Sequence, residues 1–142
     1  MCPSLANVTT HTTSTTDADL RLVQGLRVTA VLTVLNLAYQ FITAGQLFGA
    51  HPKGGLHAGG AVTLHLFSGL AAIATVLLWR RGGAPAWLAA LAIVSFLLTF
   101  VQAALGGYDT LAVHIPGAMV LTATAVWLTV ASFGPAVRRP TS

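Results

Sequence analysis

Residues 85–107 read PAWLAALAIVSFLLTFVQAALGG, and no charged side chain falls between Arg81 and Asp109. A hydrocarbon core of about 30 Å asks a helix for roughly 20 apolar residues, and this run supplies them. The same spacing governs the rest of the chain. Charges are absent between Arg27 and Lys53, between Lys53 and Arg80, and between Asp109 and Arg138. The gaps predict four spans, at about 24–49, 57–80, 85–107 and 110–133. A lone span must satisfy its own backbone groups in lipid, so each is expected to be helical. The runs show no alternation of period two, which argues against a β-barrel. The expected fold is therefore all-α: an integral membrane, antiparallel (up-down-up-down) four-helix bundle joined by short loops.

Composition agrees. Of 142 residues, 55% are hydrophobic and 7% charged, against about 25% charged in soluble domains. Mean hydropathy is +0.78. The single cysteine, Cys2, excludes a disulfide scaffold. The formal charge of +4 comes from seven basic and three acidic residues that never cluster, so nucleic acid is not an expected partner. There is no Ser/His/Asp set, paired carboxylates or phosphate loop to suggest soluble-enzyme chemistry.

Arg21 and Arg27 precede span 1, Arg80 and Arg81 separate spans 2 and 3, and Arg138 and Arg139 follow span 4. The other side holds only Lys53 and Asp109. By the positive-inside rule both termini are expected in the cytoplasm of a cell with this plasma (inner) membrane protein. Trp79 and Trp87 flank the cytoplasmic loop as interfacial aromatics do. Residues 1–19 lack the pattern of a signal peptide and are expected to form a flexible cytoplasmic tail, with Asp17 or Asp19 capping span 1. On that side the Asn7-Val8-Thr9 sequon carries no meaning. Residues 20–137 are the bundle, ended by Gly134-Pro135, and 138–142 form a second cytoplasmic tail.

The two halves match. Thr33…Gln40…Gly45 in span 1 has the spacing of Ser95…Gln102…Gly107 in span 3. Span 2 opens His57-Ala58-Gly59-Gly60-Ala61, and span 4 contains His114-Ile115-Pro116-Gly117-Ala118; both read His-x-x-Gly-Ala. The order Gln, Gly, His-x-x-Gly-Ala occurs twice, which defines an internal two-helix repeat. Thr33, Asn36, Gln40 and Thr43 lie on one side of span 1, and Ser95, Thr99 and Gln102 make a similar stripe on span 3. Such groups point into a bundle and bond across helices. Gly45, Gly59, Gly60, Gly69, Gly107 and Gly117 are small enough for close helix contact.

Five histidines are present. His11 in the tail and His51 in the outer loop are expected to be solvated. His57, His65 and His114 lie within spans, where ionisable groups mark functional sites. Histidine also ligates heme iron. At 1.5 Å per residue, His57 lies about 33 Å and His65 about 21 Å from Trp79, and His114 about 29 Å from Phe133. His57 and His114 therefore share a level near the outer face, and His65 is the alternative to His57. No carboxylate or thiolate accompanies them in the membrane, which disfavours a bare metal site.

Gln102-Ala103-Ala104-Leu105-Gly106 with His114-x-x-x-Ala118 resembles one half of heme A synthase. The resemblance covers about residues 24–133 and extends to actinobacterial four-span families with a similar histidine segment. It implies a bundle binding heme b through His57 (or His65) and His114. The glutamate that precedes the helix-2 histidine in the catalytic half of that family is missing. Lys53 and Gly54 precede His57 here, and Val62 precedes His65. The cysteine pair of the first outer loop is also missing, so heme hydroxylation is not expected.

The expected function is a small membrane cytochrome that transfers electrons near the outer face, with Gln40, Gln46 and Gln102 as hydrogen-bond donors around the cofactor. Expected partners are the lipid bilayer, a quinone or respiratory-complex subunits, and a second copy of the chain. The alternative is a non-catalytic structural or accessory subunit without cofactor. The absence of acidic residues in the spans argues against proton- or cation-coupled transport.

Overall fold

The computed structural model describes residues 5–48 and 54–137, with side chains from Asp17 onward. Cys2, His51, Lys53, Arg138 and Arg139 lie outside the described residues, as do the side chains of His11 and of the sequon. Every regular element among the described residues is helical: α1 (Leu5–Gly45), α2 (Gly54–Arg80), α3 (Ala86–Ala104) and α4 (Leu111–Phe133), with short 3-10 turns at Gln46–Phe48 and Tyr108–Thr110. All four are long and apolar enough to cross a membrane, α1 in its part from Asp17 onward.

Helix α1 begins well before the expected start of span 1. It is helical from Leu5 and runs without a break through Asp17 and Asp19, so neither aspartate caps span 1. Extending an existing helix needs no new nucleus, which lets even a Thr-rich segment continue it. Asp19 instead accepts a 2.9 Å hydrogen bond from Arg81 in the α2–α3 loop. Nearby, Arg27 donates from Nε to the Ser132 carbonyl at 3.0 Å and lies over the Phe133 ring. Helix α3 stops at Ala104, three residues before the expected limit, where the Gly106-Gly107 pair leaves the helical path. Helix α4 ends at Phe133, before Gly134-Pro135.

The helices pack as a closed ring. α1 lies against α2 and α4, α3 lies against the same two, and α2 and α4 face each other across the interior. At the Arg81 end, Leu26, Leu78 and Leu88 are sealed among Ala71, Ala74, Ala92 and Val137. A second cluster, Leu37, Leu64, Leu121 and Ala125, lies further along the bundle. The outward faces are apolar: Ile42, Val62, Met119 and Val130 are each more than 60% exposed. In water such a surface would drive association; beside four span-capable helices it is consistent with a multi-pass membrane protein.

The expected polar stripes are buried, but many do not bond across helices. Thr33 donates to the Thr29 carbonyl and Thr43 to Tyr39, each one turn back on its own helix, and on α2 Ser68 and Thr75, outside the stripes, do the same to Leu64 and Ala71. Short hydroxyl side chains reach that carbonyl more readily than a neighbouring helix. Asn36 does cross, donating to the Gly60 carbonyl at 3.2 Å and to Thr63 at 2.7 Å. Of the six glycines expected at close contacts, Gly60, Gly69 and Gly117 fill that role. Gly45 and Gly59 face open space, and Gly107 has only Thr110 nearby.

Candidate cofactor pocket

A cavity of about 550 Å³ opens at the end of the bundle away from Arg81, and Gln40, His57, His65, Gln102 and His114 all line it. The remaining wall is mostly apolar, with Leu37, Leu64 and Leu121 among its members. This size falls within the range of small-molecule and cofactor sites, and so does an apolar wall with a few convergent polar groups. Gln46 is not part of it; that side chain is exposed in the turn after α1.

Two glycines seat two glutamines. A Cβ on Gly60 would stand 2.9 Å from both the Gln40 amide and the Tyr39 ring, and one on Gly117 would collide with Nε2 of Gln102. Each His-x-x-Gly segment thus lets the glutamine of the preceding helix lie against its backbone. The Gln40 amide satisfies its surroundings in one orientation. Its nitrogen donates to the His57 carbonyl at 3.1 Å, and its oxygen accepts from the Ala61 N–H at 2.8 Å.

The imidazoles are held by threonines. Thr43 Oγ1 lies 3.1 Å from His57 Nδ1 and donates its own proton to the Tyr39 and Gln40 carbonyls. Thr99 Oγ1 lies 2.8 Å from His65 Nδ1 and donates to the Phe96 carbonyl at 2.6 Å. Where the hydroxyl proton goes to its own helix carbonyl the oxygen accepts, and the ring then donates from Nδ1–H and keeps its lone pair on Nε2. At His65 no rival donor to Nδ1 is present among the described residues beyond Thr99 itself, and the ring also stacks on Phe100 with centroids 4.3 Å apart. At His57 the Gln40 nitrogen lies 3.1 Å from Nδ1 as a rival donor. A ligand bound to Nε2 would select the Nδ1–H form there. Among the described residues no hydrogen bond engages Nε2 of either ring.

The α3–α4 half is less complete. His114 Nδ1 and Gln102 Oε1 are buried without hydrogen-bond partners among the described residues, and so is Ser95 Oγ. No group of three His, Cys, Asp or Glu side chains able to hold a metal ion unaided occurs among the described residues. The sequence reading missed the Thr43–His57 and Thr99–His65 pairs and the stacking of Phe100. The signal for the first was present, since Thr43 follows Gln40 by one helical turn. Comparison with known protein families, curated proteins and solved structures finds no match.

Proposed function

We propose that the chain is a small b-type cytochrome-like protein of the plasma membrane, holding one heme between α2 and α4 for electron transfer near the outer face. The observation that carries this reading is that His57 and His114, from diagonally opposed helices, line one cavity. Their level supports pairing them. Along α2 the contacts with α3 pass from Gly69 against Phe96 to His65 against Thr99. Continuing the same way, His57 stands eight residues beyond His65, and Gly106 stands seven beyond Thr99. A Cβ on Gly106 would lie 3.9 Å from the His114 ring. His57 and His114 are therefore opposite one another, and His65 lies about 12 Å deeper than His57 at 1.5 Å per residue. The opposed direction of these contacts supports an antiparallel bundle, and the paired Gln–Gly seats support a duplicated helix pair.

The donor set suits a heme. Two neutral imidazoles are a recognised axial pair, and the apolar wall would set the potential through burial. When bound, heme b supplies a one-electron couple. The chain's own residues bind and orient it: Thr43 fixes His57, Gln40 and Gln102 brace the two histidine helices, and the leucines exclude water. A heme held by both histidines would leave no site for substrate, so its chemistry would be electron exchange with a quinone or respiratory subunit. The positive-inside pattern supports cytoplasmic termini and a pocket toward the outer side.

Absorbance tests this. Protein purified from heme-replete cells should show a Soret band that shifts on reduction and is lost in His57→Ala and His114→Ala. A colourless preparation would favour the structural, cofactor-free alternative.

A further inference from the structure

The two halves of the pocket differ in one respect that bears on which axial position is fixed. His57 Nδ1 has Thr43 at 3.1 Å. Three residues after Gln102, where Thr43 stands after Gln40, the chain has Leu105. His114 Nδ1 is left buried with no partner among the described residues. The neighbouring Gln102, only 8% exposed, likewise has a buried oxygen without a donor. A ligand imidazole normally donates its second N–H to an acceptor, which both orients the ring and strengthens its basicity. His57 has that support and His114 lacks it.

We propose that His114 is the exchangeable ligand of the pair, and that a small neutral diatomic molecule can take its position on a reduced heme held by His57. The inference rests on the heme reading above and adds a gas-binding activity to it. The Gln102 amide, whose oxygen has no donor among the described residues, lines the same cavity as His114. The chain would then couple electron transfer to diatomic ligand binding on the α4 side only.

Carbon monoxide is the probe, added to dithionite-reduced, heme-loaded full-length protein in detergent and read as a Soret difference spectrum. Wild type should bind it. Gly106→Ser supplies the missing acceptor: its Cβ would make only ordinary contacts, at 3.5 Å to the Ala103 carbonyl and 3.9 Å to the His114 ring. That variant should weaken carbon monoxide binding by roughly tenfold or more at unchanged heme content. Leu105→Thr, which puts a threonine three residues after Gln102 as Thr43 stands after Gln40, should do the same and serves if Gly106→Ser fails to fold. Heme-loaded wild type with no spectral response would overturn the proposal while leaving the heme reading intact, as would two variants that bind the gas like wild type. Protein that takes up no heme overturns the heme reading itself.

Discussion

At the scale of single residues, the pocket depends on atoms one turn apart. Thr43 matters because its proton is spent within α1, leaving a lone pair for His57. Thr43→Val keeps the shape and removes the acceptor, and should weaken heme affinity about tenfold in a hemin titration. An unchanged affinity would show that His57 is oriented by something else. Gly117 is required for a different reason, the Gln102 amide against its backbone. Gly117→Ala should cost about 1–3 kcal/mol as overpacking, measured by thermal unfolding in detergent. Gly59→Ala is the contrast. Its Cβ would enter open space, so the exchange should be neutral or stabilise by about 0.5–1 kcal/mol through reduced backbone freedom.

At the scale of elements, the helices were readable from charge-free runs because lipid leaves a spanning segment few other structures. Their ends were less so. The reach of α1 back to Leu5 is propagation from the span, which composition does not reveal. The polar stripes were visible, but their partners were not: sequence cannot tell a hydroxyl bonded to its own helix from one bonded across. Asn36 and Ser95 separate the cases. Asn36→Leu removes a link between α1 and α2 and should destabilise by about 0.6 kcal/mol, up to about 1.7. Ser95 Oγ has no partner among the described residues, so Ser95→Ala loses no hydrogen bond and should leave detergent stability unchanged or raised. A large loss in Ser95→Ala would reveal an interaction outside the described residues.

At the scale of the whole molecule, the residues of the candidate pocket were legible in the sequence pattern. Equal Gln-to-His-x-x-Gly order in both halves pointed to Gln40, His57, Gln102 and His114, which line one cavity together with His65. Their chemistry was harder to read, because support for each imidazole comes from a different helix than the imidazole itself. Thr43 lies on α1 and Thr99 on α3, while both of their histidines lie on α2. Orientation in the bilayer rests on charge alone and is open to direct test. In a Cys2→Ser background, Arg80→Cys should react with an impermeant thiol reagent only from the cytoplasmic side, and Tyr108→Cys, 82% exposed in wild type, only from the outside. The reverse pattern would invert the topology and move the pocket to the cytoplasmic face. The central claim is that one heme sits between His57 and His114. Titrating purified apoprotein with hemin tests it most directly. The account predicts a sharp break at one heme per chain, abolished in His57→Ala and His114→Ala, whereas a gradual rise indistinguishable from hemin partitioning into empty detergent micelles would contradict it.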